Sequence, residues 1–318
     1  MALSTAITDL FGIDHPIVSA PMDAVAGGLL AATVSRAGGL GLIGGGYGDE
    51  AWLSDQFALA AGTRVGCGFI TWALAQRPRL LDLALAHQPV AVMLAFGDPA
   101  PFAEPVRSSG ARLICQVHNL AQAERALESG ADVLVAQGGE AGGHGYGHRG
   151  TISLVPEVVD LVADRGATAP VLAAGGIADG RGLAAALVLG AAGVLCGTRF
   201  YAAAEALSSN RARDTVAAAT GDGTCRTGVY DIVRGYRWPP GHSMSVLRNE
   251  FTDRWHGAES ELRADPGAAG LYRAAVAAQD YRIAQVTVGQ AAGLIGGTAS
   301  AADIVVTMAG EAAALLGR

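Results

Sequence analysis

Residues 170–200 read PVLAAGGIADGRGLAAALVLGAAGVLCGTRF, and they set the architecture of the whole chain. The segment opens on a short apolar run and bends at the pair Gly175-Gly176. It continues from Gly180 as an Ala/Leu-rich stretch with helical spacing, and reaches a second apolar run about 22 residues after the first. That is a strand, a helix and the next strand. Neither apolar run alternates with polar residues, so both faces of each strand are covered, as in a parallel sheet.

The same unit recurs upstream. HPIVSAP, GLGLIGG, RVGCGFI, VAVMLAF, RLICQV and DVLVAQG begin near positions 15, 39, 64, 90, 112 and 132, ahead of PVLAAGG near 170 and GVLCGTR near 193. Eight such units in series close most simply as an α/β fold of the (βα)8 TIM-barrel type. The competitor is an open doubly wound sheet, whose nucleotide loop should follow the first strand. Here the first run ends in Ala20-Pro21-Met22, and the glycines follow runs two, six, seven and eight. After the eighth run the rhythm stops. Residues 207–286 carry TGDGTCRT, RGYRWPPGHS, Trp238 and Trp255, and they predict an inserted, mainly helical second subdomain. Residues 1–206 plus 287–318 would form the barrel, closed by an apolar helix around Ala301 to Leu316.

Composition narrows the chemistry. The chain has 318 residues, 51% hydrophobic and 16% charged, far from the makeup of a disordered segment. All 22 basic residues are Arg, which excludes a Schiff-base lyase, a pyridoxal-phosphate enzyme and a Walker-type phosphate loop, since each needs a lysine amine. A net charge of -7 without an Arg-rich run argues against nucleic acid as a partner. No apolar run reaches membrane-spanning length and MALSTAITDL does not read as a secretory leader, so a cytoplasmic protein without a membrane partner is expected. Cys67, Cys115, Cys196 and Cys225 form no CxxC pair and read as core thiols. No two-His-one-carboxylate set emerges, so no metal is expected. A homo-oligomer is left open.

The interval between runs six and seven is about 38 residues, and the excess is the loop GGEAGGHGYGHRG, residues 138–150. Barrel chemistry sits at the C-terminal strand ends, so this loop is the first candidate site. His144, after two glycines, has the side chain best suited to exchange a proton near neutral pH or to hold an anion. His148 and Arg149 read as loop or surface residues, and Glu140 as a group that bonds backbone amides. Gly175, Gly176, Gly197 and Thr198, after strands seven and eight, are placed to hold a phosphate, and the helix opening after Asp179 would aim its free amides there. Such a site admits flavin mononucleotide, a sugar phosphate or a nucleotide. Pro21, Met22 and Gly68 offer a small-residue floor for a flat ring, and the amides of Gln116 and Gln137 could bond its oxygens.

Taken together, HPIVSAPM, AGGLGLIGGG, QGGEAGGHG, PVLAAGGIADGRGLAAALVLGA and GVLCGTRF resemble the nitronate monooxygenase (2-nitropropane dioxygenase) family over nearly the whole chain. The resemblance implies a non-covalently bound FMN and the oxidation of alkyl nitronates by O2 to a carbonyl compound and nitrite. By it His144 matches the family's catalytic histidine, which would stabilise the nitronate charge or take the α-proton of a neutral nitroalkane. Met22, Gln137, Gly176, Gly197 and Thr198 match flavin-contacting segments, and Gly138, Ala141, Gly142 and Gly143 belong to the same expected cofactor wall. Similar sequences include flavin-dependent NAD(P)H reductases of enoyl-ACP or quinones, and a non-redox barrel binding a phosphorylated metabolite is the other alternative. The loop departs from a plain EAGGHRG by reading EAGGHGYGHRG, which bears on the substrate.

Overall fold

A computed structural model describes residues 3–317. The apolar runs are strands β1 (Ile17–Ser19), β2 (Leu40–Gly44), β3 (Gly66–Ile70), β4 (Ala91–Ala95), β5 (Arg112–Val117) and β6 (Val133–Gln137). A short β7 (Gly143–Gly145) lies outside the barrel, and β8 (Val171–Ala174) and β9 (Gly193–Cys196) complete it. The eight pair in parallel in the order β1-β2-β3-β4-β5-β6-β8-β9, and β9 returns to β1 with Val18 opposite Leu195.

Two apolar layers explain why these strands do not alternate in polarity. Met93, Ile114, Val133, Val135, Leu172 and Leu195 point inward and pack together, with Ile7 and Phe11 of helix Ala6–Phe11 joining them. Their neighbours Val92, Leu94, Leu113, Leu134, Ala173 and Val194 point outward into the layer beneath the helices. The period of two along a strand then places Gln116 and Gln137 as the last inward-facing residues of β5 and β6. Helix Ala301–Leu315 closes the ring of helices against helix Gly180–Val188. Gly180 permits that approach, since a Cβ there would lie 2.2 Å from Glu311 Cβ.

Residues 207–286 hold helices Asn210–Ala217, Val229–Arg234, Glu250–Trp255, Glu259–Ala264 and Ala268–Ala278. Beside these helices the mainly helical region contains two strands, β10 (Thr224–Thr227) and β11 (Ser243–Leu247). These pair antiparallel, and β7 adds to the free edge of β11 with His144 opposite Met244. The long loop after β6 is thus drawn out of the barrel into a three-stranded sheet. Tyr230, Phe251, Val229, Met244, Val246 and Trp255 give this region an apolar core of its own. All four cysteines are free and buried. Among the described residues, no helix is long and apolar enough to cross a membrane.

Candidate active site

A cavity of about 370 Å3 opens at the C-terminal strand ends, a volume within the range of small-molecule sites. Its wall includes Pro21, Met22, Gly68, Gln116, Gln137, Ala141, Gly142, Gly143, His144, Gly175, Gly176, Gly197 and Thr198. Of the residues expected from sequence, Gly138 stands outside it. Its N–H donates to the carbonyl of Ala174 at 2.8 Å, and a Cβ there would sit 2.2 Å from Thr151 Oγ1. Close packing of β6 on the following helix accounts for that glycine.

The glycine pair after β8 takes the conformation that only glycine adopts without strain, with φ of 107° at Gly175 and 74° at Gly176. The N–H groups of Gly176 and Gly197 donate to no described residue. Thr198 Oγ1 accepts from the N–H of Gly289 at 3.0 Å, so its own O–H is left to donate. The helix that follows does not contribute as expected. Asp179 Oδ1 caps Gly182 N–H at 3.1 Å and Glu311 Oε2 takes Gly180 N–H at 2.9 Å, so those amides are already used.

At the floor, Gly68 is needed by Pro21 as well as by any ligand, because a Cβ would lie 2.3 Å from Pro21 Cγ. Gln116 Nε2 donates to Gln137 Oε1 at 3.1 Å, and His118 Nε2 lies 2.7 Å from the same oxygen. Burial pushes the His118 pKa down to about 4, against the pull of its bonds to Gln137 and Gln122. The neutral ring therefore locks Gln137 in place. Gly142 and Gly289 let two backbones stack, since a Cβ at Gly142 would meet Gly289 N at 2.6 Å. Glu140 accepts from Thr151 N–H and from its hydroxyl at 3.0 Å, capping the next helix and standing apart from the chemistry. His148 and Arg149 line a separate cavity with Arg226, and Arg149 pairs with Glu157 at 2.9 Å.

His144 is 8% exposed and faces the cavity from β7. Its Nε2 lies 3.0 Å from both carboxylate oxygens of Asp231, and its ring stacks on Trp238 with centroids 3.4 Å apart. With the proton on Nε2 shared by the carboxylate, Nδ1 carries the lone pair; the ring's hydrogen bonds to described residues run through Nε2 alone. Burial holds the His144 pKa below the usual imidazole value, with Asp231 pulling the other way. The neutral imidazole is the form a base requires.

Sequence reasoning missed Asp231 and Arg234, which stand three apart on helix Val229–Arg234 and so share a face. Arg234 lines the cavity, its guanidinium over the rings of Tyr47 and Tyr236 at 5.2 and 4.7 Å and 3.6 Å from Asp23 Oδ2. Asp231 is 87 positions from His144, and no local pattern signals that pairing.

The model of the family described as nitronate monooxygenase matches residues 4–65 and 66–311. Nitronate monooxygenase npaC of Metarhizium robertsii is 40% identical over 275 residues, 76% of this chain and 75% of that one. Among solved structures, FabK of Thermotoga maritima superposes with a TM-score of 0.86 at 31% identity, covering 99% of this chain and 98% of the other. The nitroalkane oxidase of Streptomyces ansochromogenes gives 0.80 at 25% identity, covering 98% and 99%. The chain belongs to the nitronate monooxygenase family and is an oxidoreductase of that type.

Proposed function

We propose that the chain holds FMN in this cavity and oxidises alkyl nitronates with O2, releasing nitrite and a carbonyl compound. The family is one of flavoproteins. The observation that carries the reading is the meeting of two unlike sets of groups on one cavity: the unpartnered amides of Gly176 and Gly197 with the Thr198 hydroxyl, and His144 backed by Asp231. The first suits a phosphate and the second a proton or an anion. FMN, when bound, would supply the redox chemistry, taking electrons from substrate and passing them to O2.

The chain's own residues supply position and charge. Pro21, Met22, Gly68 and Ala141 to Gly143 would bound the ring, with the amides of Gln116 and Gln137 at its edge. Arg234 contributes fixed positive charge to a wall facing an anionic substrate. His144 Nδ1 accepts the α-proton of a neutral nitroalkane, and Asp231 stabilises the imidazolium that results. A nitronate arrives already ionised and needs the site only to hold its charge.

The test is aerobic incubation of the FMN-loaded protein with propyl-2-nitronate and without NAD(P)H. Stoichiometric nitrite and acetone with O2 uptake are expected. Absence of nitrite, together with anaerobic bleaching of the flavin by NAD(P)H and reduction of a quinone or enoyl thioester, would replace this function with a reductase.

A further inference from the structure

A second cavity of about 460 Å3 lies beside the first, over the ends of β4 and β5. Its walls include Leu94, Pro99, Val117, Ala121, Tyr146 and Pro239, and Phe96 and Gln116 line both cavities. The Phe96 ring stands between them. Its centroid is 5.8 and 5.7 Å from the rings of His118 and His242, which belong to the second chamber. On the other side it is 5.0 Å from Trp238 and 6.4 Å from His144, which line the first.

The backbone at this partition is strained. Among the described residues, non-glycine positive φ occurs at Asp23, Gln88, Phe96 and Gln279. Gln88 and Gln279 follow helices Arg79–Ala86 and Ala268–Ala278, where a left-handed residue is an ordinary terminator. Phe96 has φ 65° directly after β4 and ends no helix. Strain of this kind persists where surrounding structure over-determines a residue, and such residues gather at functional sites.

We infer that Phe96 is the specificity-determining residue that sets how long a substrate the active site accepts, and that the chamber behind it is a subsite for the distal alkyl chain of a longer nitronate once the ring is removed. The chamber offers that chain the apolar groups of Leu94, Pro99, Val117, Ala121 and Pro239 alongside the flat rings of His118 and His242, and its one arginine, Arg125, is already paired with Asp98 at 3.0 Å. This inference rests on the nitronate function proposed above.

The experiment compares kcat/KM for the nitronates of nitroethane and 1-nitrohexane in wild type and in Phe96→Ala, with the thermal midpoint and FMN binding as checks on the fold. Wild type should favour the short substrate. Each methylene seated in an apolar pocket contributes about fourfold, so the hexyl-to-ethyl ratio should rise at least about tenfold in Phe96→Ala. Adding Ala121→Trp, which fills the chamber from helix Leu120–Glu128, should abolish the gain. An unchanged ratio in folded Phe96→Ala, or a gain that survives Ala121→Trp, overturns the inference. Should Phe96→Ala fail to fold, Phe96→Leu must show a smaller rise in the same direction, and no rise overturns it equally. Should wild type oxidise no nitronate, it is the functional reading that fails; the length ratio is then read from dissociation constants of the two nitroalkanes, followed through the absorption of bound FMN.

Discussion

The ends of β8 and β9 and the cover formed by residues 207–286 face the same cavity, yet they are built on different terms. At the strand ends every contributing group lies within a few residues of its strand: Gly175, Gly176, Gly197 and Thr198, held by local turns. On the cover side His144 is brought by β7, its strand partner Met244 by β11, and Asp231, Arg234 and Trp238 by helix Val229–Arg234 and the segment after it, 87 positions from His144 in the case of Asp231. Under the proposed function, the structure that would face FMN is local and the structure that would face substrate is tertiary. Changes in the first region should therefore act on FMN affinity, and changes in the second on turnover.

The largest expected effect lies on the tertiary side. His144→Asn should cost about 100-fold to 10,000-fold in turnover of a neutral nitroalkane, the usual contribution of a general base. A preformed nitronate should lose much less, and steady-state kinetics on the two substrates will show the split. Asp231→Asn should follow, with kcat/KM reduced roughly tenfold to hundredfold, the contribution of a hydrogen bond to a charged group. Its pH profile has a defined sign. A base must be unprotonated, so nitroalkane activity falls as pH falls through the His144 pKa, and burial sets that limb below the ordinary imidazole value near 6.5. Asp231 raises this pKa, so the Asn variant should move the limb to still lower pH. A limb that stays put would uncouple the pair.

On the local side, Gly176→Val should weaken FMN binding by about tenfold or more, because a branched side chain beside the Gly176 and Gly197 amides would occupy the space a phosphate needs there, while the strain of a β-branched residue at φ 74° lowers stability instead. Fluorescence titration of FMN reads this directly, and unchanged affinity would move the phosphate elsewhere. The smallest effect is expected for Trp238→Leu. Loss of the stack on His144 should lower turnover about twofold to tenfold without altering FMN affinity.

This division also explains what could be read from the residues alone. The barrel was legible because inward and outward layers are both apolar, so β4 and β6 appear as unbroken hydrophobic runs of the right length. Most of the cavity wall was legible because glycine pairs at the ends of consecutive strands have few other uses. Gly138 lies off the cavity wall, and a glycine demanded by packing against Thr151 looks, in sequence, like one demanded by a ligand. The N-terminal amides after Asp179 were expected to be free, but Glu311 reaches them from 131 positions away. β7 went unseen because Gly143-His144-Gly145 has no strand propensity and pairs only where β11 offers an edge. Asp231 belongs to a helix whose sequence, VYDIVR, gives its carboxylate no distinction until the fold sets it against His144.

The most direct test of the central claim, that FMN is held by the barrel's glycine turns while His144 acts on substrate, is the FMN dissociation constant of His144→Asn measured beside its nitroalkane turnover. An affinity within about twofold of wild type is expected while turnover falls at least about 100-fold. Loss of FMN in proportion to the loss of activity would contradict it, and would make the histidine part of the cofactor's binding wall.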